Sequence, residues 1–424
     1  MLSSGMGDRL PHLDTPSEDF LSNLPDALLH HILSFLPTCD SVRTSVLSRR
    51  WRRIWSSVPA MDFHFSDPTN WGALSSVGRF VAARDNSCSI SRLRLIFDYV
   101  LFSYETCLCE WIDYAKSHDA QDVTLRISNP RRDYTSLLVA LFNWPSLTAL
   151  DLKMQGCVVS VGRAFNLPEC VTLSNVKTLS LSIFNEISQE SLSRLLLSCC
   201  PALEELTLAS RYQTNDFIEI AAPNLLRLNL LHAPFKIRIT CQKLESLTLK
   251  PYFHVQHLNI EAPSLASVRL HNQGQCFHLW YVGALLHTLC NVTALTIDLR
   301  YLWFAHRLRI MPLIESFPIF HKLLKLEVHL VLCPKDDRVE MLFSLLQHTP
   351  KLHALTLIDR QEDTYLKLFD EGSDSFDIVP FKGLDHLKRV SLSINSKSSW
   401  STILKMLSER VRAWDEVAVM YKSL

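Results

Sequence analysis

The residues best suited to chemistry are dispersed along the chain. Cys107 and Cys109 form a C-x-C pair, half of a structural zinc set, and no second pair follows at zinc-ligand spacing. Cys199 and Cys200 are adjacent in an apolar stretch and read as buried thiols. The 12 cysteines share no repeated spacing, which suits a reduced intracellular protein in the nucleus or cytoplasm. Seventeen histidines and 43 acidic residues could hide a scattered site, yet no H-E-x-x-H, G-x-S-x-G, G-x-G-x-x-G or G-x-x-x-x-G-K-[ST] occurs. Only 10 residues are glycine, well below the ordinary share of about 7%. Phosphate cradles are therefore not expected, and an enzyme is the least favoured class. No metal or cofactor is expected. Two groups remain. Arg49, Arg50, Arg52 and Arg53 surround Trp51, as a nucleic-acid or import patch would or as a solvated helix face would; the second reading is preferred. Arg300, Tyr301 and Trp303 lie in an insertion between repeated units and have the residue types of interface anchors, although Trp303 and Phe304 could equally pack on the outer face.

Composition narrows the class further. Lys plus Arg is 43 and Asp plus Glu is 43, so a dedicated nucleic-acid binder is disfavoured. Hydrophobic residues make up 47%, enough for a large core. No apolar run approaches the ~18 residues of a membrane span. Residues 1–18 are polar and acidic and read as a disordered leader without signal-peptide character.

Order is expected from Phe20. Leu28, Leu29, Ile32, Leu33 and Leu36 recur at helical spacing after Asp26, and Pro37 ends that helix. A second short helix is expected over Asp40–Val46. Ser48 then caps a third, with Trp51, Ile54 and Trp55 on its apolar side. Three short helices bury little surface, so part of their apolar face should be covered by the rest of the chain or by another protein.

Leu24-Pro25-Asp26, Ile32 to Thr38, and Val42 to Trp55 closely resemble an F-box of the plant F-box/leucine-rich-repeat type. Cys39 stands where Lys is common in that family, and Ile54 where Leu is common. The resemblance implies docking on the Skp adaptor of a cullin–RING ubiquitin ligase. It places adaptor contacts at Leu24, Pro25, Leu28, Ile32, Leu33, Val46 and Trp51. Leu29, Leu36, Leu47 and Trp55 are expected to fill the module's own core.

Residues 64–89 read as a linker with one amphipathic helix through Leu74, Val77 and Phe80. Beyond them an L-x-x-L-x-L pattern recurs a dozen times, from Ile90/Leu93/Leu95 to Leu387/Val390/Leu392. The period is mostly 20–30 residues, that of leucine-rich repeats. Pro145, Pro201, Pro223, Pro263 and Pro350 each stand two residues before the first repeat position, where a strand has not begun. Each unit reads as helix, turn and strand, burying its apolar side only by stacking. In the middle units Ile220, Ile239 and Ile260 precede a repeat leucine by the same interval, so a short extended segment is expected there in place of a helix.

The expected fold is α/β: a three-helix F-box over 19–63, a curved parallel-sheet leucine-rich-repeat solenoid over 90–395, and a cap over 396–424. The stretch from Leu384 faintly resembles the FBD region of plant F-box proteins; its bland reading is a last repeat with a capping helix over 400–414. Alternating strand residues should line the concave face, among them Arg269/His271, Thr296/Asp298 and Glu327/His329. They form neither a basic stripe nor an aromatic ladder, so nucleic acid is not the expected ligand. A dozen strands make a sheet of about 50 Å, ample for a protein interface of ~800 Å² per partner. The expected substrate contacts are Arg269, His271, Arg300, Tyr301 and Trp303. The whole reads as a non-catalytic substrate receptor of a Skp–cullin–F-box ligase, bound to the adaptor and to an unidentified target, with no nucleic acid and no membrane. The alternative is a repeat scaffold that acts without ubiquitin transfer.

Overall fold

The computed structural model describes residues 21, 23–66, 71–98, 105–128, 135–155, 167–183, 187–210, 217–231, 236–250, 257–271, 286–298, 317–330, 337–359, 384, 386–394 and 416–421. The chain starts with three short helices. α1 (Asp26–Leu33) follows Pro25, whose backbone occupies the N-cap position with φ −59°, and Asp26 supplies the first-turn carboxylate. Pro37 stands in the same way before α2 (Thr38–Arg43), which tightens into a 3-10 turn over Thr44–Val46. In α3 (Trp51–Ile54) the Trp51 N–H points to the Ser48 hydroxyl at 3.5 Å, a weak cap at the expected residue. Leu29, Leu33, Trp51, Ile54, Val58 and Ala60 form the small core of this module. Leu29 joins that core as expected, and Trp55 packs on it while half-buried. Leu36 and Leu47, also expected inside, are exposed, because a module of three helices this short can enclose only a few side chains.

Among the described residues a sheet of fourteen strands, all parallel, follows. Its order is β1 (Ala60–Phe65), β2 (Arg92–Phe97), β3 (Asp122–Ser128), β4 (Ala149–Gln155), β5 (Thr178–Ile183), β6 (Glu205–Ser210) and β8 (Arg227–Leu231). It continues through β10 (Ser246–Lys250), β12 (Ser267–Leu270), β13 (Ala294–Asp298), β14 (Lys325–Leu330), β15 (Ala354–Asp359), β16 (Arg389–Ile394) and β17 (Glu416–Tyr421). The repeat positions are buried throughout, with Leu265 alone half-buried. Helices α4 (Trp71–Ala83), α5 (Glu105–Ser117) and α6 (Thr135–Phe142) pack Val77, Phe80, Leu108, Ile112, Leu137 and Leu141 against those leucines. So do α7 (Gln189–Arg194), which runs on as a π turn over Leu195–Cys199, and α8 (Asp337–Gln347).

One backbone contact repeats from β1 to β16. A single carbonyl before each strand accepts two successive N–H groups from the next unit: Pro59 from Ser91 and Arg92, Ser91 from Gln121 and Asp122, and onward to His353 from Lys388 and Arg389. The same contact recurs because each unit presents the same turn to its neighbour.

The middle units carry a second sheet of three parallel strands, β7 (Phe217–Ala221), β9 (Lys236–Thr240) and β11 (His257–Glu261). Ile220, Ile239 and Ile260 stand in one register row of it, in place of convex helices. Gln189 closes the β7 edge as a backbone would: its amide donates to the Glu219 carbonyl at 3.1 Å and accepts from the Glu219 N–H at 2.9 Å.

Both ends of the solenoid extend beyond the expected repeats. β1 lies in the segment read as F-box tail and linker, and β17 lies in the segment read as a cap. Val58-x-x-Met61-x-Phe63 has the repeat spacing, and all three are buried. Trp414-x-x-Val417-x-Val419 has it too, with Val417 opposite Val390 and Val419 opposite Leu392. The capping helix expected over 400–414 falls outside the described residues.

Candidate functional site

The helical module presents an apolar face to solvent. Leu28 is 49% exposed, Ile32 40% and Val46 84%, with Phe35, Leu36 and Leu47 also open. Pro25 is exposed and Leu24 half-buried. Leu33 and Trp51 lie beneath this face in the module's core, 1% and 5% exposed. The expected contact residues therefore divide into a solvent layer (Pro25, Leu28, Ile32, Val46), a margin (Leu24) and a supporting layer (Leu33, Trp51). Phe35 and Leu47, more exposed than Leu28 and Ile32, are not among the expected contacts, and Leu47 is expected in the core, since spacing alone does not tell an outer from an inner apolar position on so short a helix. Arg50 fixes the start of α1: its Nε donates to Asp26 Oδ1 at 2.9 Å, and its Nη2 to the Leu24 carbonyl. Arg49, Arg52 and Arg53 are exposed.

This face is held in a defined orientation to the solenoid. The Asp62 N–H on β1 donates to the buried Thr38 hydroxyl at 2.7 Å. Arg92 on β2 donates to the Ser34 carbonyl at 2.8 Å. Arg84, 5% exposed, donates to the carbonyls of Val58 at 3.1 Å, Cys88 at 2.7 Å and Ser89 at 2.9 Å. Trp55 and Phe63 meet Phe80 of α4 with ring centroids 5.7 and 5.5 Å apart. Thr38 and Arg84 carry no motif in the sequence. The buried guanidinium becomes visible only once the three carbonyls are brought around it.

On the opposite side of the leucines, strand residues align in three rows. One runs Asp62, Arg94, Thr124, Asp151, Ser180, Thr207, Asn229, Thr248, Arg269, Thr296, Glu327, Thr356. Near the F-box the charges close on neighbouring strands, Arg94 with Asp62 at 3.0 Å and Arg126 with Asp151 at 2.8 Å. Over β5 and β6 two of the rows are small and uncharged (Ser180, Ser182, Thr207, Ala209), while Glu205 in the third pairs with Arg227 at 3.0 Å.

Over β12–β14 charge returns. Arg269, Thr296 and Glu327 occupy one row, and Asp298 and His329 the next. His271, directly after β12, lies with its ring edge-on to His329, centroids 5.5 Å apart. Thr296, Asp298 and His329 are buried, while Arg269 is exposed. His329 Nε2 and Glu327 Oε1 are 2.6 Å apart. That hydrogen bond holds the Glu327 carboxyl below its usual range, against burial, with further help from the charges of His329, Arg269 and His271. The structure thus brings Arg269 and His271 into one polar cluster. Arg300, Tyr301 and Trp303 fall outside the described residues. Among the described residues, no group of three or more His, Cys, Asp or Glu could hold a metal ion, and no helix is long and apolar enough to cross a membrane.

An apolar three-helix module fused to a leucine-rich-repeat solenoid defines the F-box/leucine-rich-repeat class. The F-box domain model matches residues 21–61, and a model described as FBD-associated F-box protein At5g56370, LRR repeats, matches residues 108–240. FBD-associated F-box protein At5g60610 of Arabidopsis thaliana is 30% identical over 80% of this chain and 82% of its own length. F-box/LRR-repeat protein At3g03360 of the same plant is 27% identical over 92% of this chain and 79% of its own. F-box protein At5g03100 is 31% identical over 50% of this chain and 63% of its own. The chain belongs to the family of FBD-associated, F-box/leucine-rich-repeat proteins.

Proposed function

We propose that the chain is the substrate-recognition subunit of a Skp–cullin–F-box ubiquitin ligase and performs no chemistry itself. The observation that carries this reading is the open apolar face of α1 and of the turn ending at Val46, set on a core sealed beneath it. Covering a side chain of this size contributes about 1.5–3 kcal/mol, so an exposed set of them is a binding surface in waiting. On this reading Leu24, Pro25, Leu28, Ile32 and Val46 meet the Skp adaptor, and Leu33 and Trp51 hold them in place. The concave face binds a target protein, which the ligase keeps at high local concentration beside the ubiquitin-loaded conjugating enzyme.

The test is co-purification of the full chain with the Skp adaptor, wild type beside a Leu24→Ala/Pro25→Ala/Ile32→Ala variant. Capture of the wild type and loss in a folded variant, by about 2 kcal/mol or more, supports the reading. A wild type that is not captured leaves a repeat scaffold acting without ubiquitin transfer.

A further inference from the structure

The concave face treats its charges in two ways. From β1 to β8, opposite charges sit on adjacent strands and close into ion pairs, Asp62 with Arg94, Asp151 with Arg126 and Glu205 with Arg227. Over β12–β14 the opposite charges of the first row, Arg269 and Glu327, are two strands apart, with Thr296 between them. At ~4.8 Å per strand their backbones are about 10 Å apart. Arg269 is exposed and makes no hydrogen bond or ion pair among the described residues; its charge reaches Glu327 only through space. Glu327 is fixed by His329, a buried side chain, and its own side chain stays 39% exposed. This carboxylate is oriented and ionised before any partner arrives, which reduces the ordering cost of binding.

We propose that Arg269 and Glu327 form a two-charge subsite that reads an extended segment of a partner protein carrying an acidic and a basic side chain about 10 Å apart. The proposal rests on the substrate-receptor reading and specifies the chemistry of the target. An extended segment in the polyproline II conformation has three residues per turn and rises about 3.1 Å per residue, so charges three positions apart point the same way about 9–10 Å apart when the segment runs along the solenoid axis. The acidic residue faces Arg269 and the basic one faces Glu327, which fixes the direction of the segment. Segments bearing only one sign leave one group of the subsite unpaired and bind more weakly. His329 is a positioning residue: it holds Glu327, and the His271 ring lies edge-on against it.

The test uses the purified full chain and an array of Ala/Ser nonapeptides with one Glu and one Arg, in both orders, separated by one to six positions. Single-charge peptides serve as controls. The expected result is an optimum at a separation of three in one order, reduced at least tenfold by Arg269→Glu or Glu327→Arg. The Arg269→Glu/Glu327→Arg double variant should bind the reversed order instead, which shows that the variants are folded. A flat array, equal binding of single-charge peptides, or binding indifferent to Arg269→Glu overturns the proposal. Capture of the Skp adaptor by the same preparations is read separately. A flat array with adaptor capture removes the subsite alone, whereas failed capture removes the receptor reading.

Discussion

The Thr38 hydroxyl accepts a hydrogen bond from the Asp62 N–H at 2.7 Å, joining α2 of the F-box to β1 of the solenoid. β1 is the first strand of the sheet, and its outer edge would otherwise offer unpaired backbone groups to solvent or to another chain. The F-box is thus the N-terminal cap of the repeat array as well as a docking module. Repeat arrays need such a cap, because an end unit has no neighbour to cover it.

Thr38→Val keeps the shape of the side chain and removes the acceptor. Thr38 is buried, so the Asp62 N–H is left without a partner, and stability should fall by about 1–3 kcal/mol. Urea denaturation measures the loss, and hydrogen exchange should place its largest effect in β1 and β2. An unchanged midpoint would show that water replaces the hydroxyl.

Arg84→Met should cost more, on the order of 3 kcal/mol, since it orphans the carbonyls of Val58, Cys88 and Ser89 together. Arg84→Lys should not restore stability, because an ammonium cannot reach three carbonyls from one planar fork. Midpoints of the two variants close to each other and well below the wild type are the expected outcome.

The thiols should react in two groups. Cys39 and Cys170 are exposed. Burial pushes the Cys200 thiol up to about 12, with a smaller contribution from Cys199 beside it, and burial also raises Cys241. At pH 8 a thiol reagent should modify Cys39 and Cys170 within minutes and spare Cys200 and Cys241 until the chain unfolds. Because the folded Cys200 holds its proton more tightly than the unfolded thiol at 9.0, its contribution to stability is complete below pH 9 and is lost as pH rises toward 12. A Cys200→Ala variant should show a shallower loss of stability across that alkaline window.

Glu327 makes the opposite contribution. Its folded carboxyl titrates below the ordinary 4.5, so its stabilisation is present above that value and disappears as pH falls through the folded one. Glu327→Gln should flatten the acid limb of the stability profile below pH 4.5 and leave the neutral region nearly parallel to wild type. Parallel acid limbs would contradict the hydrogen bond from His329.

Much of this architecture is legible in the residues. The L-x-x-L-x-L spacing places the strands because each unit needs the same three side chains inward. The Ile220, Ile239, Ile260 series marks the second sheet, each isoleucine standing five residues before the repeat leucine of its unit (Leu225, Leu244, Leu265). The ends are harder to read. Val58, Met61 and Phe63 obey the repeat, but without leucine, and they directly follow the F-box motif. The adaptor face is half legible: the motif locates it, while Leu36 and Leu47 turn outward because a module this small cannot enclose every apolar position. Arg84 and Thr38 stay hidden in the sequence, because their partners are backbone groups and carry no side-chain signature.

The central claim is tested most directly by the affinity of the full chain for the Skp adaptor, measured for wild type, Val46→Asp and Trp51→Ala alongside their unfolding midpoints. Val46 is 84% exposed, so Val46→Asp should leave the midpoint unchanged and weaken binding at least thirtyfold, about 2 kcal/mol. Trp51→Ala should lower the midpoint by an amount equivalent to about 3–5 kcal/mol of stability, as truncation of a buried core Trp does. Adaptor binding by the wild type that is unaffected by Val46→Asp, or no binding at all, would contradict the account.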